Sequence, residues 1–517
     1  MKRTSKILSS LCLFLTGISY QASAQQSKKE EADRVKMEHA QIGIVEDKKT
    51  GYKHTENPGA QWYPQAGFGL FVHWSIASVK EIDLSWPMMA GTQIGWRGAN
   101  NRMDSAEVKK IMDSGDFFTG HHCKVDNSCI TPNQYWAMAK DFNPQNYDAD
   151  KWIKAAKDAG MTYAVLTTRH HDGFAMWPSK YGDFNTKNYM GGRDLVKDFV
   201  AACRKYGLKV GLYYSGPDWH FNREFQNFMY YGVGKNYANI PELDADLHVR
   251  TTPKTDAEKQ AHYKDVAAYI KGQIEELLTN YGKIDMIWFD GSADIPKGNS
   301  AWNECISMDR IHQLQPGIVV SPRFYGYGDY KTFEGDKALP TTKQDGWAEL
   351  CATIANSGWG YTKAPLKSAS YVLSQLINCR ANNTNLLLNF GPTKDGVFIN
   401  EMYNRFNDIA AWMKINAASV TGVHALDSTE TASVPATAGI GHRYLFILPP
   451  SKQQAQQNTL QSGKDETITF KTNQNIKNIQ LLSNAKKLNY TIQNGVVTIV
   501  IPAGLKTELA EVIDIQI

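Results

Sequence analysis

The sequence predicts a (β/α)8-like barrel followed by a C-terminal antiparallel β-sandwich. Three observations carry this. Apolar strand-like runs alternate with amphipathic helical runs over about 350 residues, the order of a parallel α/β domain. Polar and aromatic residues recur just after those strands, as His73-Trp74, His170-His171-Asp172, Asp218-Trp219, Asp290 and Arg323, which puts one functional rim at the strand C-terminal ends. From residue 425 onward, short alternating strands separated by turn residues replace the helical signals. A doubly wound sheet is the competing arrangement.

Taken in order, residues 1–24 read as an export signal. Lys2, Arg3 and Lys6 precede a mostly apolar run over 7–18, and Ala22-Ser23-Ala24 has the small-residue cleavage pattern. That run is too short to span a bilayer, and no later stretch is long enough. The expected location is outside the cytoplasm, periplasmic or secreted, in a bacterium, with no membrane anchor. Residues 25–60 are polar and rich in Lys and Glu, and read as a loosely held lead-in. The barrel is expected over 61–424 and the sandwich over 425–517.

Within the barrel, 67–74 reads as a strand ending in His and Trp, and about 80–130 as a long loop above the rim. A helix is predicted over 149–159, with Asp148 as N-cap and Gly160 closing it. Further strands are predicted over 163–168, 209–214, 285–289, 318–321 and 385–390. Helices are predicted over 194–206, 257–281, 302–314, 371–378 and about 398–416. Residues 220–256 form a second polar, Tyr-rich insertion. In the C-terminal region the strand-like runs are 444–448, 467–470, 479–482 and 496–502.

Composition narrows the function classes. Removing the signal removes three positive charges and no acids, so the formal net charge falls from +4 to +1. That balance implies neither nucleic acid nor a membrane surface as partner. Aromatic residues make up 11% of the chain, which suits sugar-binding platforms and ordinary cores alike. Of the six cysteines beyond the signal, Cys123 and Cys129 flank a short polar loop and form the most plausible disulfide. Cys203, Cys305, Cys351 and Cys379 sit in apolar segments and read as buried thiols.

The candidate chemistry is carboxylate chemistry. No Gly-x-Ser-x-Gly elbow occurs, no Cys-x-x-Cys pair suggests zinc, and Gly67-x-Gly69 lacks the further glycine of a phosphate loop. His170-His171-Asp172 invites a metal reading, but no His-x-x-x-His partner appears, and hydrogen bonding to a polyhydroxyl substrate fits better; neither metal nor cofactor is expected. Asp290 ends the apolar run Met286-Ile287-Trp288-Phe289 and precedes Gly291. On its residues alone it is either a turn or a catalytic carboxylate at a strand tip. A second carboxylate would come from 328–336, which holds Asp329, Glu334 and Asp336, or from Glu349.

Several stretches together match a known family. They are Phe68-Gly69-Leu70-Phe71-Val72-His73-Trp74-Ser75, Thr168-Arg169-His170-His171-Asp172-Gly173-Phe174, Gly211-Leu212-Tyr213-Tyr214-Ser215 with Trp219, Trp288-Phe289-Asp290-Gly291, Ser357-Gly358-Trp359-Gly360-Tyr361 and Asn385-Leu386-Leu387-Leu388-Asn389-Phe390-Gly391-Pro392. In this order, over about 60–415, the chain resembles the α-L-fucosidases of glycoside hydrolase family 29. The resemblance implies a (β/α)8-like barrel with a C-terminal β-sandwich and a retaining, exo-acting hydrolysis of terminal α-L-fucose. It implies Asp290 as nucleophile, with His73, His170, His171, Tyr214 and Arg323 on the sugar. Trp74 or Trp219 would receive the C6 methyl. Glu334, in a Thr-x-Glu context, is the implied acid/base, with Glu349 the second candidate. The expected partner is a fucosylated oligosaccharide or glycoconjugate. An α-L-galactosidase on the same scaffold, a non-catalytic glycan-binding protein and a secreted metallohydrolase are the alternatives. Two stretches depart from the family pattern, Trp347-Ala348-Glu349 and Asn382-Asn383-Thr384.

Overall fold

In the computed structural model, residues 33, 35–36, 38–44, 53–89, 130–226, 228, 242–295, 301–324, 328–449, 465–505 and 508–517 are described. The expected export signal and the Cys123–Cys129 pair lie outside them, as do parts of both long insertions.

Eight parallel strands carry the site: β1 (Phe68–Val72), β2 (Tyr163–Arg169), β3 (Lys209–Ser215), β4 (Met286–Asp290), β5 (Val319–Val320), β6 (Lys331–Glu334), β7 (Ala348–Thr353) and β8 (Asn385–Phe390). Their order is β5-β4-β3-β2-β1-β8-β7-β6, so the first strand pairs with the last and sequential neighbours lie side by side. That is the order of a barrel, not of a doubly wound sheet. Among the described residues no ladder joins β5 to β6.

Burial explains why these runs are strands. Every residue of β1, β2, β4 and β8 is buried, as expected when both faces of a parallel sheet are covered. Phe71, Tyr163, Val165, Tyr213, Met286, Trp288, Val319, Cys351 and Leu387 pack as one inner cluster. Side chains drawn from strands right across the sheet can meet only if the sheet curls around them. Alternate residues, among them Leu70, Val72, Leu166, Leu212, Ile287, Phe289 and Leu388, face outward into a larger cluster shared with the helices.

Helices α1 (Ala149–Asp158), α2 (Leu195–Tyr206), α3 (Asp256–Thr279), α4 (Met308–Leu314), α5 (Ala369–Ala381) and α6 (Asn400–Asn416) supply that outer layer. Their starts follow from side-chain caps. Asp148 accepts from Lys151 N, Asp194 accepts from Lys197 N, and Thr255 and Glu258 form a capping box. The helix expected over 302–314 is two short helices, because Ser307 breaks the run and caps the second through Arg310 N. Cys203, Cys305, Cys351 and Cys379 are buried free thiols, as expected.

Strands β9 (His424–Ala425), β10 (Thr431–Ala432), β11 (Ala436–Gly439), β12 (His442–Ile447), β13 (Glu466–Lys471), β14 (Asn478–Leu481), β15 (Tyr490–Gln493), β16 (Val496–Ile501) and β17 (Glu511–Gln516) form two antiparallel sheets, ordered β10-β13-β16-β15 and β14-β17-β12-β11-β9. Leu445, Ile447, Ile468, Phe470, Val497, Ile499, Ile513 and Ile515 pack between the sheets. The buried Arg380 of α5 ties the barrel to the segment leading into these sheets, donating to Val420 O at 3.1 Å and Val423 O at 2.6 Å.

β6 and β7 are not among the strands predicted from the sequence, and each carries one of the candidate glutamates. Glu334 is the last residue of β6, while Glu349 is the second residue of β7. Glu349 pairs in register with the first residue of β8 and is completely buried, so it sits inside the barrel toward the end opposite the rim. Its carboxylate accepts from Tyr63 Oη at 3.0 Å, Tyr163 Oη at 2.8 Å and Trp288 Nε1 at 2.9 Å. Burial pushes the carboxyl up, while these donors pull it back. Replacing Glu349 with Ala strands three buried donors and should lower the unfolding free energy by about 3 kcal/mol. Urea unfolding followed by tryptophan fluorescence measures this, and an unchanged midpoint would refute the structural role.

Candidate active site

Asp290 stands at the C-terminal tip of β4. The next residue must be glycine. Gly291 has φ 76°, and a Cβ there would lie 2.6 Å from Pro217 Cδ and 2.8 Å from Ile42 O. Asp290 is 7% exposed and its charge is fully engaged. Oδ2 accepts from Tyr213 Oη at 2.7 Å, Oδ1 accepts from Arg323 Nη1 at 2.6 Å, and His171 Nε2 lies 3.8 Å from Oδ2.

Arg323, in the short turn after β5, also donates through Nη2 to Glu334 Oε2. One guanidinium therefore holds both carboxylates on neighbouring nitrogens, with its plane 4.8 Å from the Trp288 ring. Burial pushes the Glu334 carboxyl up, but Arg323 and His39 outweigh it and hold the group well below the usual carboxylate range. Burial likewise works against the Arg323 charge, and the two carboxylates more than restore it.

Three histidines ring the same space, each fixed through Nδ1. His73 Nδ1 meets Asn389 Oδ1 at 2.8 Å, His170 Nδ1 meets Ser85 Oγ at 2.6 Å and His171 Nδ1 meets Ser215 Oγ at 2.6 Å. Ser215 Oγ donates to Pro217 O, so it must accept from His171, which makes Nδ1 the protonated nitrogen of that ring. Burial lowers all three, His73 to about 4, so the imidazoles are neutral at pH 7. Their Nε2 atoms are left for a ligand.

These groups line a cavity walled by Phe71, Trp86, Trp288 and Trp359. His170, His171 and Asp290 offer ligand atoms within 4.8 Å of one another, the right types for a divalent cation. The Arg323 guanidinium 2.6 Å from Asp290 already supplies positive charge there and would repel one.

The site gathers Asp290, Glu334, His73, His170, His171 and Arg323 as expected from the sequence. Four other expectations are corrected by position. Trp74 lies behind the rim against Phe142, Tyr147 and Trp152. Tyr214 faces outward, donating to Gln273 with its ring against Arg169. Trp219 backs His171 and Trp86 without lining the cavity, and Glu349 lies inside the barrel. Tyr213, Trp86, Trp288, Trp359 and His39 take part instead. Strand parity could have found Tyr213, since it registers with Trp288 and shares the inward face with Ser215 and Asp290. His39 gave no such signal, because it belongs to the polar lead-in and reaches Glu334 across 295 residues.

The Alpha-L-fucosidase family model matches residues 38–418. The mouse (Mus musculus) tissue alpha-L-fucosidase is 26% identical over 376 residues, covering 70% of this chain and 71% of its own length. The human (Homo sapiens) tissue enzyme is 26% identical over 376 residues, covering 70% and 69%. Among solved structures, alpha-L-fucosidase isoenzyme 1 from Paenibacillus thiaminolyticus aligns with TM-score 0.64 and 26% identity, over 89% of this chain and 98% of that one. A Bacteroides thetaiotaomicron family 29 alpha-L-fucosidase, trapped as a covalent intermediate, shares the fold with TM-score 0.65 and 21% identity, over 90% and 98%. A family match over most of the chain, on a barrel with these carboxylates at its rim, shows that this chain belongs to the α-L-fucosidases of glycoside hydrolase family 29.

Proposed function

We propose that the chain is an exo-acting, retaining α-L-fucosidase that removes terminal α-L-fucose from glycans, with Asp290 as nucleophile and Glu334 as acid/base. The observation that carries this reading is the single guanidinium of Arg323 bridging the two carboxylates at the mouth of the cavity. Asp290 Oδ attacks the anomeric carbon as the glycosidic C–O bond breaks, and Glu334 gives its proton to the departing oxygen. Glu334 then takes a proton from water, whose oxygen attacks the anomeric carbon and releases Asp290. The net change is hydrolysis with retention.

Glu334 is ionised while Arg323 holds it, so a proton must reach it before the first step. A sugar hydroxyl drawn between Arg323 and Glu334 weakens that pair and raises the carboxyl toward the range where it carries a proton. Neutral imidazoles can accept from or donate to sugar hydroxyls without adding charge beside Arg323. An unmet partner in such a site is costly, which makes it selective. The apolar walls Trp86 and Trp359 replace Trp74 and Trp219 as the surface for the C6 methyl. This favours fucose over α-L-galactose, whose C6 hydroxyl would need a polar partner there.

The substrate class is a fucosylated oligosaccharide or glycoconjugate. Export to the periplasm or medium of a bacterium rests on the sequence of residues 1–24. Among the described residues no helix is long and apolar enough to cross a membrane. We assign 61–424 as the catalytic unit, with 25–60 before it and the sandwich at 425–517 after it.

Asp290→Asn should lower kcat by about 10⁴-fold or more on an aryl α-L-fucoside, with the circular dichroism spectrum unchanged. In azide, Glu334→Ala should recover turnover and yield α-L-fucosyl azide, since azide replaces water in the second displacement; the β-anomer would overturn the assignment of the two carboxylates. Aryl α-L-fucoside should be hydrolysed about 10- to 100-fold faster than the matching α-L-galactoside, as kcat/KM, for a site that discriminates through an apolar wall. Equal rates would favour the galactosidase.

A further inference from the structure

Among the described residues Glu334 is held by two side chains, and one comes from outside the barrel. His39 sits in the N-terminal stretch read from sequence as a lead-in. Its Nε2 lies 3.2 Å from Glu334 Oε2 and 3.2 Å from Arg323 Nη2. The stretch is docked on the turn that carries Asp290. Ser292 N donates to Ile42 O at 2.7 Å, the Ile42 side chain is buried in the cavity wall, and Gly43 takes φ 69° against Ser292.

One ring nitrogen cannot serve both neighbours at once. Beside an ionised Glu334, His39 Nε2 must carry hydrogen and donate to the carboxylate. Beside a protonated Glu334, the other tautomer offers its lone pair to the Arg323 N–H or to the carboxyl O–H. A neutral imidazole thus suits Glu334 in both charge states that a double displacement requires. Neither Arg323, which only donates, nor a carboxylate, which only accepts, could do so.

We propose that His39 is a positioning residue that orients the Glu334 carboxyl for proton transfer in both halves of the reaction. This rests on the reading of Glu334 as the acid/base. Arg323 and His39 face Glu334 directly, while Asp290, His73, Tyr213 and Cys351 act on it from β4, β1, β3 and β7. Removing the His39 donor leaves Arg323 as the remaining direct partner opposing the upward push of burial, so the Glu334 carboxyl should rise in the variant.

The test compares the full-length wild type, His39→Ala, His39→Gln and Glu334→Ala on aryl α-L-fucosides of graded leaving-group pKa, with every rate across the series read as kcat/KM, which reports the first displacement alone; the part played in the second displacement is read separately, as a fall in the kcat of His39→Ala on the activated substrate. Glu334→Ala should match wild type most closely on 2,4-dinitrophenyl fucoside and fall away steeply as the leaving group worsens. His39→Ala should be near wild type on the activated substrate and about 10-fold slower on the least activated, a part of the 10²–10⁴-fold that a general acid supplies. Its alkaline kcat/KM limb should move to higher pH. His39→Gln should recover most of the loss, since its amide can donate to Glu334 and accept from Arg323. A His39→Ala rate that is uniform across leaving groups, whether lowered or unchanged, overturns the positioning role. A leaving-group dependence in Glu334→Ala no steeper than in wild type instead overturns the acid/base reading, so the two failures are told apart.

Discussion

Two carboxylates share one guanidinium at the mouth of this barrel, and much of the site follows from that contact. Asp290 and Glu334 are each about nine-tenths buried, and two such charges could not remain ionised side by side without a cation. Arg323 supplies it from the turn after β5, and in doing so spans β5 and β6, which no ladder joins among the described residues. The ion pairs therefore close the seam as well as setting the charge of the site. The Arg323 charge also rests on the face of Trp288, and Trp288 is pinned by donating to Glu349 below. Glu349, the carboxylate that sequence reasoning offered as a second acid, thus acts on the site at one remove.

Adding more formal charge beside Arg323 would upset this balance, and the surrounding residues avoid doing so. His73, His170 and His171 are neutral because burial outweighs the nearby carboxylates, and each has its Nδ1 committed to a neutral partner. The cavity then offers oriented ring nitrogens against aromatic walls. A sugar with many hydroxyls and one methyl meets a matching set of surfaces, whereas an anionic or cationic ligand would face an uncompensated charge.

What the sequence makes legible follows from burial. β1, β2, β4 and β8 are covered on both faces, so they read as unbroken apolar runs and were foreseen with ends within a residue or two. β6 and β7 were not foreseen, because each carries a glutamate and β6 is only partly buried, which resembles a loop. The resemblance implies Tyr214 on the sugar, but strand parity puts Tyr213 on the inward face with Ser215 and leaves Tyr214 outward. Trp74 and Trp219 follow the strands as rim residues should, but their rings turn back into the outer cluster, a choice set by neighbours far along the chain. His39 was illegible for a similar reason, since its partners lie 284 and 295 residues away and its local sequence is ordinary polar chain.

The dipeptide Asp290-Gly291 is at once a turn and the tip of a barrel strand. Asp-Gly is a turn, and Gly291 has the left-handed backbone and crowded Cβ position that demand glycine. The same turn ends β4 abruptly, so the Asp290 carboxylate stops at the rim instead of following the strand onward. It also opens the space into which Ile42 O approaches, so the N-terminal stretch docks against the residues just past Asp290. That docking brings His39 to Glu334. A side chain on residue 291 would push away both Pro217 and Ile42, and with Ile42 the segment that holds the second carboxylate. The glycine after Asp290 is therefore a structural condition for the placement of Glu334 as well.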